Sequence, residues 1–165
     1  MHWKRALRHL FTDQWSVRRA FPAQAMRAIR NAIEAQERRH GGELRFAVEA
    51  SLPLRSLWRG QAAHERAVEL FGQFRVWDTE QNNGVLIYLL LADKSVEIVA
   101  DRGIHRKVGD AAWEGICRDM RQAFAQRHFE RGARLGIVAI SDLLAAHYPP
   151  AAVQRNELPN EPLVL

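Results

Sequence analysis

Cysteine is nearly missing from this sequence: Cys117 is the only one in 165 residues. An intramolecular disulfide and a zinc site built on several thiolates are both excluded, and the chain fits a reducing compartment. Long hydrophobic runs are also lacking. The longest covers residues 85–92, well short of the ~20 that span a bilayer, so it reads as a buried strand. The N-terminus carries charge but no apolar core and does not read as a secretory signal. A cytoplasmic protein, at most peripheral to the inner membrane, is therefore expected. The sequence contains no Gly-rich phosphate loop, no Gly-x-Ser-x-Gly elbow and no pair of histidines at a zinc-protease spacing. It also has no zinc knuckle, RNP signature or recognisable helix-turn-helix, so nucleic acid is not the expected partner.

What is present describes one ordinary domain. Apolar residues make up 47% and charged residues 26%, and a chain of this length buries about 70% of its unfolded surface without a metal or disulfide staple. The net charge of +5 is uneven, because residues 1–40 hold nine Lys/Arg against three acids. A basic patch of this kind attracts polyanions, and equally describes a solvated helix face.

Apolar spacing predicts the elements. Residues 3–11 form a short amphipathic helix. A longer helix starts at Phe21-Pro22, carries Ala25, Ile29 and Ile33 on one face, and ends at Gly41-Gly42 as a left-handed cap would. Residues 44–50 alternate as a strand, and residues 51–60 form a loop. A helix over 61–76 follows, then the polar stretch 77–84 and the fully apolar strand 85–92, which belongs in mid-sheet. Asp93-Lys94 turns the chain into a return strand over 95–100. Two closing helices run to about Arg127 and over 132–147, with Ile116, Met120 and Phe124 buried on the first. The order α-β-α-β-β-α-α, with a right-handed crossover between the first two strands, defines an α/β fold, a three-layer α/β/α sandwich with a small mixed sheet. The expected organisation is a basic N-terminal segment at 1–21, the domain at 22–148 and a flexible tail at 149–165.

This topology brings Glu43, the 77–84 loop and Asp101-Arg102-Gly103 to one sheet edge. Asp78, Glu80, Asn83 and Asp101 are candidate metal ligands there, with Thr79 and Asn82 adding neutral oxygens. Oxygen donors of this type suit hard cations such as calcium or magnesium. Gly84 and Gly103 would let the backbone approach a ligand. Arg102 could hold a phosphate, or pair with Asp78 or Glu43. The same residues also serve as turn formers and helix caps. The opposite edge, with Glu49, the 51–60 loop and Asp93, is where ligands of open α/β sheets usually bind; having fewer polar groups, it ranks second. Cys117, beside a buried stripe, reads as core rather than nucleophile.

Residues 67–71, the 78–84 loop, the strand 85–92 and the segment 96–104 together resemble the middle of a TPM domain, and residues 124–129 and 132–140 resemble its closing helices. The likeness spans roughly residues 22–147. It implies an α/β/α sandwich, divalent-cation binding as in some members, and the acid phosphatase activity described for a plant member. Other members include a thylakoid-lumen repair protein and an accessory protein of a nematode receptor. The chain departs from the pattern in its Ala100-Asp101-Arg102-Gly103 turn and in lacking the export signal and membrane span of many members.

The leading expectation is an accessory module, not an enzyme, that binds a divalent cation and serves an unknown protein partner in a membrane-associated repair or assembly process. A metal-dependent acid phosphatase is the alternative. The third reading is a polyanion binder, for anionic lipid or nucleic acid, acting through Lys4, Arg5, Arg8, Arg18 and Arg19.

Overall fold

The computed structural model describes residues 3–150 and 156–165. Met1, His2 and the part of the expected tail at 151–155 lie outside the described residues. The elements are α1 (Trp3–Phe11), α2 (Gln14–Ala20), α3 (Ala23–Glu37), β1 (Glu43–Glu49), α4 (Leu54–Trp58), α5 (Ala63–Gln73), β2 (Gly84–Leu90), β3 (Ser95–Ala100), α6 (Arg102–Val108), α7 (Asp110–Ala125), α8 (Phe129–His147) and β4 (Leu163–Val164).

The sheet order is β3-β2-β1-β4. β1 and β2 are parallel and β2 and β3 antiparallel, as the sequence pattern predicts. The apolar run in β2 is buried along its whole length. Leu44, Phe46 and Val48 of β1 join Val85, Ile87 and Leu89 of β2 in the larger core, under α3, α7 and α8. Ala47, Leu86, Tyr88 and Leu90 face the opposite layer, where Ala67 and Leu70 of α5 and Leu57 of α4 pack. Two faces of apolar side chains, each covered by helices, make the three layers.

The structure corrects several boundaries. The 51–60 loop contains α4, a single turn too short to show helical periodicity. Asp101-Arg102-Gly103 is the N-cap and first turn of α6 rather than a simple turn. Gly41-Gly42 is not a left-handed cap: α3 ends on Arg38 in right-handed geometry. Gly42 serves close packing instead, since a Cβ there would stand 2.6 Å from Cδ2 of Leu144 and 3.2 Å from Asn83 O. The β2–β3 turn spans four residues, 91–94, and Lys94 takes the left-handed conformation at φ 52°.

The 1–21 segment is no separate unit. Val17 and Phe21 are buried in the larger core, and Phe21 packs edge-on against Phe46 and Phe124. The described part of the expected flexible tail is built into the fold. β4 pairs parallel with β1, and Leu158 fills the second core. Every residue of β1 is therefore buried, including Glu43, Arg45 and Glu49, which its alternation marks as solvent-facing.

Candidate functional site

The near edge of the sheet assembles as the strand directions require. Glu43 pairs with Gly84. Asp101 N–H donates to Gly84 O at 2.9 Å, and Ile104 N–H donates to Asn82 O at 3.2 Å. The 77–84 loop and the start of α6 are thus joined by backbone hydrogen bonds. The loop is tightened further from within. Asn83 N–H donates to Thr79 Oγ1 at 3.1 Å, and Asn83 Nδ2 donates to Gly41 O at 2.9 Å. Arg75 and Asn82 enter and leave it in left-handed backbone conformations, at φ 54° and 51°.

The candidate ligands divide into two pairs. Asn83 and Asp101 are buried. Asp101 Oδ1 accepts the Arg102 N–H and caps α6. Asp101 Oδ2 and Asn83 Oδ1 are both buried and, among the described residues, have no hydrogen-bond partner. Buried oxygens are nearly always paired, so each unpaired one calls for a cause such as a water or ion. Asp78 and Glu80 are exposed; Asp78 is ion-paired to Arg75, and the Glu80 N–H donates to the Glu157 carboxylate. Among the described residues, no three His, Cys, Asp or Glu side chains form a group able to hold a metal ion.

The remaining residues have structural partners. Thr79 supports Asn83, and the Asn82 carbonyl supports α6. A Cβ on Gly84 would stand 2.0 Å from Val76 O, and one on Gly103 would stand 2.3 Å from Asn82 O. Both glycines thus admit the protein's own backbone rather than a ligand. Arg102 is exposed.

Glu43 is engaged by the C-terminal segment, whose Glu157 also meets the loop at Glu80. The Glu43 carboxylate accepts the N–H groups of Glu157 at 3.0 Å and Leu158 at 3.2 Å. Beside it Glu37 accepts the Leu44 N–H at 3.1 Å, and Arg45 donates to the Pro159 carbonyl. Burial, reinforced by repulsion from Glu43, pushes the Glu37 carboxyl up to about 8. Burial also raises Glu43, and it lowers the nearby His40. Sequence reasoning missed this buried polar cluster. Its signal was the set of charged residues in β1, which only a covering segment could bury.

At the opposite edge a second charged network closes the structure. Arg66 grips Glu49 through two hydrogen bonds of 2.9 and 3.0 Å, and Tyr88 Oη donates to Glu49 at 2.6 Å. Arg5 contacts Asp93 at 2.8 Å and the Gln61 carbonyl at 2.7 Å. His9, buried, accepts the Leu52 N–H on Nδ1, which leaves the proton on Nε2 to meet Asp93 at 3.1 Å. Burial would lift the Asp93 carboxyl, but Arg5 and His9 hold it below the usual range. Arg5, a candidate polyanion ligand, is thereby committed to the fold. A broad groove of about 1520 Å³ lies between α2 and the facing ends of α7 and α8, lined by Phe124, Phe129, Leu135, Arg19, Arg127 and Arg131 and reaching Lys94 of the β2–β3 turn.

An open four-stranded mixed sheet between helical layers, with a polar loop and a helix N-cap meeting beside its central strands, defines a small α/β/α domain class. Residues 18–143 match the TPM domain family, and the chain belongs to that family. Among solved structures it is similar to the BA42 protein of the psychrophilic bacterium Bizionia argentinensis, at 29% identity and a TM-score of 0.78, over 88% of this chain and 95% of that one. It shares its fold with the N-terminal domain of a protein from P. gingivalis, at 20% identity and a TM-score of 0.61, over 79% and 83% of the two chains. A search of curated proteins finds no match. Among the described residues, no helix is long and apolar enough to cross a membrane.

Proposed function

We propose that this TPM domain is a cation-binding accessory module whose site is the junction of the 77–84 loop and the α6 N-terminus. The observation that carries the reading is the pair of buried, unpaired oxygens, Asn83 Oδ1 and Asp101 Oδ2, beside adjacent strand ends. Hard cations take carboxylate, amide and carbonyl oxygens together with water, so a mixed site of this kind needs no cluster of three acids. Asn83 and Asp101 form its inner pair. Asp78 and Glu80, on the exposed outer part of the loop, are the outer ligands and close on the ion when it binds. Calcium and magnesium are the candidate ions. Binding orders the loop and presents it to a protein partner.

Titration of the metal-stripped chain with calcium, magnesium and manganese, followed by backbone amide NMR, tests the reading. Shifts confined to residues 77–84 and 101–105 are expected, weakened at least tenfold in Asp101→Asn, which keeps the α6 cap but removes the charge. Unchanged spectra at millimolar cation would refute it. Phosphate release from a monoester, assayed on the same samples, separates the module from a metal-dependent phosphatase; turnover lost in Asp101→Asn would make the site catalytic.

A further inference from the structure

The opposite end of the molecule has a different surface. Six large apolar side chains stand there between 68% and 79% exposed: Trp3, Leu10 and Phe11 of α1, Trp15 of α2, and Leu54 and Trp58 of α4. The contacts of α1 fix their common location. Arg5 reaches Gln61 and Asp93, and His9 reaches Leu52 and Asp93, which seats α1 between the 51–61 segment and the β2–β3 turn. α2 joins the same end, since Gln14 Nε2 donates to Leu165 O and the Leu165 N–H donates to Val48 O near the end of β1. Lone exposed apolar residues need no explanation, but a collection on neighbouring helices marks an interaction surface.

The cations Lys4, Arg8, Arg18, Arg55, Arg59 and Lys94 are interleaved with these residues and exposed, and Arg18 lies over the Trp15 ring. The acids among them are occupied. Asp13 accepts the Ser16 N–H as the cap of α2, and Asp93 is held by Arg5, Arg8 and His9. Tryptophan, phenylalanine and leucine bordered by lysine and arginine are the side chains that settle at the boundary between headgroups and acyl chains. A second copy docking through the same face would bring a surface of the same sign and be repelled.

From this surface we infer that the α1–α2–α4 end is a docking face for an anionic lipid bilayer. The apolar side chains enter the boundary region while the cations neutralise the headgroups. The interaction is peripheral, requires no metal and is independent of the cation site at the other edge.

The test is co-sedimentation of the full chain, in chelator, with vesicles of phosphatidylcholine mixed with phosphatidylglycerol, compared with phosphatidylcholine alone. The expected result is binding to the anionic vesicles with a shift of tryptophan emission to shorter wavelength. Arg55→Ala and Arg59→Ala should each lower partitioning roughly fivefold. The double variant Phe11→Ser/Trp58→Ser should abolish the bound fraction while leaving the circular dichroism spectrum unchanged, since both side chains are exposed. Three results would overturn the inference: no association with anionic vesicles, association that persists in the double variant, or equally salt-sensitive binding to single-stranded DNA with quenching of tryptophan, which would make the face a nucleic-acid surface.

Discussion

Replacing Glu37 with glutamine should remove most of a pH dependence that burial of this carboxyl imposes on folding. Glu37 lies at the end of α3 and is held by the Leu44 N–H. Burial and the neighbouring Glu43 raise it from its ordinary 4.5 to about 8. Between those values the folded chain keeps a proton that the unfolded chain has released, so stability falls as pH rises through the window. A tenfold change in proton affinity between the two states is worth about 1.4 kcal/mol. Between about pH 5 and about pH 8 this one group therefore costs roughly 3 kcal/mol. Glu43, also raised by burial, acts in the same direction. His40, lowered by burial, acts in the opposite one, because its unfolded imidazole takes up a proton below 6.5 that the folded one refuses. Comparison of the variant with the parent removes His40 and much of Glu43. Urea unfolding followed by circular dichroism at both pH values should show the Glu37→Gln variant gaining on the parent by roughly 3 kcal/mol at the higher pH. Equal differences at the two pH values would refute a buried, protonated carboxyl.

Glu49→Gln removes the buried one of the two carboxylates that hold Arg66 and leaves it the exposed Glu69, and should cost about 3 kcal/mol in urea unfolding, the lower end for breaking a buried pair; a variant as stable as the parent would mean that Glu69 and water suffice for Arg66. Gly84→Ala sets a methyl against the Val76 carbonyl, which is backbone and has little room to move. It should destabilise the chain by at least the 1–3 kcal/mol typical of overpacking, read as a lowered midpoint in thermal unfolding.

The near edge was legible in the sequence because strand direction follows from pattern. The apolar run of β2 required a central place, and the alternation in β3 required a hairpin return, so Glu43, Asn83 and Asp101 had to converge. What periodicity could not supply was the role of each side chain. Asp101 is as good an N-cap as a ligand, and the structure uses one of its oxygens for the cap and leaves the other unpaired. Asp78 lies three residues from Arg75 and pairs with it across the turn that follows α5, which the Asp78 N–H closes onto Arg75 O. The C-terminal segment was illegible for another reason. Leu158 stands alone among proline, asparagine and glutamate, and the apolar triplet 163–165 is too short to show a period; the composition resembles disorder, and the order of the segment depends on partners more than a hundred residues earlier in the chain. The charges of Glu43 and Arg45 become intelligible only once that segment lies over them.

Those buried charges have a consequence during synthesis. β1 emerges early, and the segment that closes its open side emerges more than a hundred residues later, an interval of several seconds or longer at ordinary elongation rates. Through that interval β1 has a free edge beside the apolar β2, an arrangement that invites pairing with another nascent chain. Charged side chains on an edge discourage such pairing. Glu43 and Arg45 thus protect the growing chain from its neighbours first and hold its C-terminal segment afterwards.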